Sequence, residues 1–294
     1  MEVTLPVAQI LAAESKLGEG VLWDAERQLV WFVDIKRHRL WRYDPATGAA
    51  TFDEAPDQIG WAIPAEGGLL LCGLKDGLYT FAPESGHFTF LCDVPGEPAS
   101  NRLNDACTDP WGRVWFGSMD DAEQAASGRF YLFDRGDIRP VGPAGVCITN
   151  GPAVNAQGDR IYFTDTLGKR IMVAELSPGG LGEARPFADT GALFPEAFPD
   201  GPVVDAEDHV WTGLYLGGRV ARFSPDGELV ATIPMPARDI TKIAFGGAHL
   251  RTAFVTSATK NMEASDMATY PQAGSLFGFE APVAGFAQAR AKLG

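Results

Sequence analysis

One pattern recurs six times along the chain: a polar turn carrying Asp, Asn or Gly, followed by a short apolar run. It reads DAERQLVWFVDI from Asp24, PAEGGLLLCGL from Pro64 and DPWGRVWFGSM from Asp109, then NAQGDRIYFTDT from Asn155, DAEDHVWTGLY from Asp205 and GGAHLRTAFVTS from Gly246. The copies stand about 40 to 50 residues apart, the period of a four-stranded unit repeated radially. A second turn follows each run: DPATGA at Asp44, PESGHF at Pro83, DRGDI at Asp134, SPGGLGE at Ser177 and SPDGEL at Ser224, with EAPVAGF near Glu280 the most degraded copy. Helical periodicity is nearly absent. These units predict an all-β, six-bladed β-propeller with four-stranded blades around a central channel, built as a single domain over residues 1–294. A blade cannot bury both of its faces alone, so each needs a neighbour on either side and the ring has to close. A two-sheet sandwich is the structural alternative, but it gives no reason for the regular double turn.

The repeat also serves as a ruler. Asn150 stands five residues before the turn residue Asn155, Glu19 five before Asp24, Asn104 five before Asp109 and Asp200 five before Asp205. Each is followed by Gly or Asp. In the other two units the equivalents fall near Ile59-Gly60 and Thr241-Lys242. Equivalent positions in a propeller lie on a circle about the channel, so side chains at the start of the innermost strands converge on one axial point. A single Asn or Asp in such a place would cap its own turn. Four oxygen-bearing side chains in register point instead to a site for a hard divalent cation. Carboxylate and amide oxygens suit Ca²⁺, Mg²⁺ or Mn²⁺, whereas thiolate or imidazole clusters would point to Zn²⁺.

Charge narrows the partners. The chain has 24 Lys+Arg against 38 Asp+Glu, a formal charge of -14. Such a surface repels phosphate backbones and anionic membranes, so neither nucleic acid nor membrane is expected as a partner. The opening stretch MEVTLPVAQILAAESK lacks the basic start and unbroken apolar run of a signal peptide. No stretch approaches the roughly 18 consecutive apolar residues of a membrane span. The four cysteines, Cys72, Cys92, Cys107 and Cys147, form no CxxC pair and read as reduced side chains of a cytoplasmic protein. A monomer or weak homo-oligomer is expected.

Four segments carry a resemblance: LGEG from Leu17, NRLND…DPWGRVWFGSM, TNGP…GDRIYFTDT and PDGPVVDAEDHVW. Together they resemble the senescence-marker-protein/gluconolactonase family, also called regucalcin-like, over about Glu14 to Phe279, with greatest similarity to bacterial sugar-acid lactonases. The resemblance implies one divalent metal in the channel (Ca²⁺, Mn²⁺, Mg²⁺, Zn²⁺ or Fe²⁺), with ligands at Glu19, Asn150 and Asp200. It also implies that Arg102 and Asn104 of the R-x-N-D motif contact substrate, which moves Asn104 out of the ligand set to which the ruler alone would assign it. An acidic substrate contact is implied shortly after FGSM. Here MDDAEQAASG offers Asp120, Asp121 and Glu123; Asp121 is the candidate, and the same segment reads as a lid over the channel.

The implied activity is hydrolysis of a sugar-acid lactone (an aldonolactone such as a pentono- or hexonolactone) to the free aldonic acid in carbohydrate catabolism. A lactone is a cyclic ester, and a metal can polarise its carbonyl and acidify a water. Asp200 would then be both ligand and general base, Arg102 would bond the substrate's oxygens, and Trp61 would form an apolar wall. The alternative is a non-catalytic calcium-binding or regulatory protein, and a third reading is another ester hydrolase, phosphotriesterase-like, with the same metal. The pair Arg102/Asn104 favours catalysis, because a bare cation site has no use for an arginine. No G-x-S-x-G elbow is present, and His87, His209 and His249 sit in or beside turns, which argues against a Ser-His-Asp triad. GGLGE at Gly179 lacks the strand–loop–helix context and the Lys of a nucleotide loop.

Overall fold

A computed structural model describes all residues 1–294. Six antiparallel sheets form the blades of a propeller, each built from strands in meander order. Blade one runs Gly18–Asp24, Leu29–Asp34, Arg39–Tyr43 and Ala50–Glu54. The first strands of the next four blades are Ile59–Pro64, Asn101–Thr108, Thr149–Val154 and the interrupted pair Phe198–Pro199 and Val203–Val204. Blade six begins with Asp239–Gly246, which packs back against Gly18–Asp24 of blade one and closes the ring. The only helical segments are short, and no helix is long and apolar enough to cross a membrane.

Closure of the ring differs from the expectation at one point. The sixth copy of the second turn, EAPVAGF, does not lead into an outer strand. The outer strand of blade six is Ala8–Leu11, which pairs antiparallel with Leu276–Glu280. The two ends of the chain therefore share one sheet. The residues after Glu280 cross one end of the channel instead. Ala206 N–H donates to Ala284 O at 2.9 Å, Ala291 N–H to Pro64 O at 2.9 Å, and Lys292 N–H to Gly112 O at 2.9 Å. This tail ties blades five, two and three together.

The apolar interior is divided into six clusters, one between each pair of adjacent blades. Strand Leu29–Asp34 shows why the sequence reads as it does: Trp31 and Val33 pack toward blade two, while Val30 and Phe32 pack toward blade six. Both faces are covered, so the strand is a continuous apolar run rather than an alternating one. The turn residues of the repeat hold their own hairpins. Asp109 accepts from the N–H groups of Trp111 and Arg113 and from Trp115 Nε1 at 2.9 Å. Asp205 does the same for Glu207, His209 and Trp211 Nε1 at 2.8 Å. All four cysteines are free.

Removing residues 1–12 should open blade six and leave Leu276–Glu280 as an unpaired edge. We expect the melting temperature to fall by about 5 °C or more and larger species to appear in size-exclusion chromatography. An unchanged melting temperature would show that this outer strand does not help close the ring.

Candidate metal centre and active site

The ruler position coincides with an irregularity in the innermost strands. Pairing with the second strand slips between Glu19 and Leu22, between Leu103 and Ala106, between Asn150 and Ala153, and between Ile240 and Ile243. In blade five the strand is interrupted altogether at Asp200-Gly201-Pro202. A bulge bends the strand and re-aims the side chain at that point. Gly20 and Gly151, which follow Glu19 and Asn150, have φ of 57° and 74°, a conformation that costs glycine little. The outcome is that Glu19, Asn104, Asn150 and Asp200 all line one axial cavity of about 160 Å³, and all four are buried.

The hydrogen bonds separate their roles. Asn104 Nδ2 donates to Thr149 O at 2.6 Å and to Asn150 Oδ1 at 3.1 Å, while its Oδ1 accepts from Arg102 Nη1 at 2.5 Å. Asn104 thus bridges the arginine and the neighbouring amide. Asn150 Nδ2 donates to Thr166 Oγ1 at 2.9 Å, and its Oδ1, which accepts only from Asn104, keeps a lone pair to spare. Glu19 accepts only from the N–H of Gly20, at 3.1 Å, and Asp200 only from the N–H of Gly201, at 2.9 Å. Each carboxylate keeps one oxygen uncommitted.

The electrostatics fit a cation between them. Burial first, and then the negative charge of Asp105, push the Glu19 carboxyl up from 4.5 to about 8. Burial and the charge of Glu19 raise Asp200 well above its ordinary value. Glu19, Asp200 and Asp105 face Lys242 and Arg102, so the carboxylates outnumber the cations set against them. A divalent ion would offset this excess, and two carboxylate oxygens with an amide oxygen are hard donors of the kind such an ion takes. No trio of His, Cys, Asp or Glu is arranged to hold a metal anywhere in the chain, so a cation here would need the Asn150 amide oxygen beside the two carboxylates.

Arg102 reaches the same cavity from its bulged strand. Burial lowers the guanidinium from its ordinary value, and Asp121 is the first of the carboxylates that offset this. Asp121 Oδ1 lies 3.3 Å from Arg102 Nε, and Arg102 Nη2 is left without a protein acceptor. Asp121 itself is not among the cavity's lining residues. Burial would raise it, but hydrogen bonds from Lys36 at 2.6 Å, Gln58 at 2.9 Å and Lys75 at 3.0 Å win and hold it well below the usual carboxylate range. Asp120 accepts from the N–H groups of Gln124 and Ala125 and shapes its own loop. Glu123 is the acidic residue of this segment that lines the cavity, paired with Lys260 from the loop after Thr252–Ala258. The two loops, from opposite blades, meet across the mouth through that pair.

Trp61 does not form the expected wall. Its ring lies over Gly73 and beside Phe116, between blades two and three. The apolar walls include Leu17, Met119, Ile148, Leu167, Phe198 and Leu216. Periodicity could not distinguish these faces, because inner-strand residues are buried whether they face a neighbouring blade or the channel. Sequence reasoning also gave Lys242 no role, although a lysine inside the apolar run DITKIAF, one place past the ruler position, was a usable signal.

A carboxyl with a raised pKa stabilises the folded chain only while it carries its proton. The metal-free protein should therefore lose stability relative to the metal-loaded protein as pH rises from about 4.5 through about 8. Adding Ca²⁺, Mn²⁺, Mg²⁺ or Fe²⁺ after chelation should raise the melting temperature, and the gap should widen across that window. A gap that is absent or independent of pH would count against ligation by Glu19 and Asp200.

The chain has relatives among known proteins. The chain is 32% identical over 290 residues to an L-arabinolactonase of Azospirillum brasilense, covering 96% of this chain and 95% of that one. It is 30% identical over 279 residues to a 6-deoxy-6-sulfogluconolactonase of Pseudomonas putida, covering 95% and 96%. Among solved structures, a calcium-binding protein, regucalcin, of Agrobacterium tumefaciens superposes with a TM-score of 0.93 at 27% identity, covering 99% of both chains. Residues 17–259 match the family described as SMP-30/Gluconolactonase/LRE-like region, and the chain belongs to that family.

Proposed function

We propose that the protein opens the lactone ring of a sugar acid, with one divalent metal ion held by Glu19, Asn150 and Asp200. The observation that carries this reading is the placement of Arg102 beside the two buried carboxylates. Asn104 and Asp121 hold the guanidinium, and Arg102 lines a cavity sized for a small molecule rather than a polymer. The lactonase relatives of Azospirillum and Pseudomonas support the substrate class. When bound, the ion supplies Lewis acidity toward a carbonyl and lowers the pKa of water.

The chain's own residues supply the rest. Asp200 takes the proton from the attacking water. Water adds to the carbonyl carbon, the ring C–O bond breaks, and the ring oxygen leaves as a hydroxyl with the proton that Asp200 took from the water. The product acid ionises near neutral pH and releases one proton to solution. Arg102 donates to the substrate's oxygens and orients the ring, and Asn104 fixes both Arg102 and the Asn150 amide. Asp121 acts in this reading through Arg102, by holding the guanidinium in place. The Glu123–Lys260 pair limits entry of bulk water at the mouth.

A second reading, a non-catalytic calcium-binding protein, is favoured by the Agrobacterium neighbour. A pH-indicator assay over a panel of aldonolactones, with and without chelator, separates the two. Metal binding without ring opening would establish the second reading.

Asp200→Asn should retain the fold and some metal binding at saturating ion, while hydrolysis falls by about 10²-fold or more, the scale of losing a general base. A near-native rate at saturating metal would make Asp200 a ligand only. Arg102→Ala should lower kcat/KM and leave metal affinity nearly unchanged, because a guanidinium is no ligand. A parallel loss of metal affinity would contradict its assignment to the substrate.

A further inference from the structure

Below the four polar side chains of the cavity lies a second layer, made by residues one or two places further along the same strands. Asp105 comes from blade three and Lys242 from blade six, on opposite sides of the ring. Lys242 Nζ donates to the two Asp105 oxygens at 2.6 and 2.7 Å, and both side chains are buried. With Gly20 and Pro202 they face the end of the channel covered by the tail residues Phe286, Ala287 and Gln288. The catalytic reading makes no use of this pair. A buried ion pair is also a costly way to fill a channel, since desolvation can exceed the Coulombic gain.

Its contacts lead to the metal-binding side chains. Asp105 Oδ2 accepts from the N–H of Gly151, the residue after Asn150, at 2.8 Å. Asp105 Oδ1 accepts from the N–H of Ala106 at 2.8 Å, which fixes the carboxylate to its own strand next to Asn104. Lys242 packs against Gly201, the residue after Asp200. The two backbones form a parallel bridge, and a Cβ on Gly201 would come within 2.7 Å of Lys242 Cγ. One member of the pair therefore pins the backbone beside Asn150, and the other pins the backbone beside Asp200. This matters most in blade five, where the innermost strand is interrupted at Asp200-Gly201-Pro202.

We propose that the Asp105–Lys242 pair is a positioning strut for the metal centre. It sets the span between Asn150 and Asp200 across the ring, and it keeps the Asp105 carboxylate engaged so that this third acid stays out of the donor set. The inference rests on the metal reading given above. Partners behind the direct ligands of a metal typically matter by tenfold to a hundredfold in affinity.

Position and charge predict opposite signs, which makes the strut testable. Lys242→Met makes the channel more negative, so charge alone would tighten cation binding, whereas loss of the strut weakens it. Titration calorimetry of the chelator-stripped full chain with Mn²⁺ and with Ca²⁺ should give a Kd weaker by about tenfold to a hundredfold for Lys242→Met. The double variant Asp105→Asn/Lys242→Met keeps the net charge of the parent and replaces the pair by neutral groups of similar size, a change that folds commonly tolerate. It should show the same weakening with an unchanged far-UV circular dichroism spectrum. Lys242→Met binding as tightly as the parent or tighter would overturn the strut. So would a double variant whose Kd stays within about threefold of the parent while only its melting temperature falls, which would make the pair a fold element alone. If Lys242→Met does not fold, the double variant decides by itself. A parent chain that binds neither ion would instead overturn the metal reading, an outcome distinct from failure of the strut alone.

Discussion

Burial of both faces of every blade is the constraint on which the structure depends. A four-stranded sheet with apolar side chains on each face has no stable place except between two others of its kind, and six such sheets satisfy one another only as a closed ring. The six apolar clusters between blades are the direct expression of this. Closure requires that the first and last blades meet, and pairing of Ala8–Leu11 with Leu276–Glu280 makes one sheet from both ends of the chain. The ring in turn creates an axis, and residues at one repeat position are brought to it from every side.

An axis lined by ordinary strands would be apolar and packed. The bulges change that. Where pairing slips after Glu19, Leu103 and Asn150, and where the strand breaks at Asp200, polar side chains turn into the channel. The cost is the burial of three carboxylates with only Lys242 and Arg102 set against them, expressed as the raised pKa of Glu19 and Asp200. In the proposed metal reading, the same excess of negative charge is what would favour a divalent cation there. The Asp105–Lys242 layer beneath and the Glu123–Lys260 pair at the mouth both join blades three and six, so the cavity is held from below and bounded from above by contacts across the same diameter.

Much of this was legible in the residues. The turn chemistry of Asp24, Asp109, Asn155 and Asp205 marks the period, because an Asp or Asn that accepts from backbone N–H groups two to five residues on is a local device visible in sequence. The offset of five to Glu19, Asn104, Asn150 and Asp200 follows from the same period. What the residues did not disclose was direction. Trp61 belongs to the packing between blades two and three rather than to the cavity, because a one-residue slip at Ile59/Trp61 decides which face it takes. Asp121 and Glu123 stand two residues apart on one loop. Only the positions of Lys36, Lys75 and Lys260, supplied by distant parts of the chain, send the first toward Arg102 and the second toward the cavity.

The sequence by itself determined the number of blades, the polar positions that ring the channel and the oxygen-rich chemistry of the site, since each of these is set by local turns and a repeat length. The tertiary structure alone decided which strand completes the sixth blade, that Asn104 serves as a bridge between Arg102 and Asn150, and that Asp105 reaches across to Lys242. Those outcomes depend on which blades face one another across the ring, and no local pattern records the partner of a side chain 137 residues away.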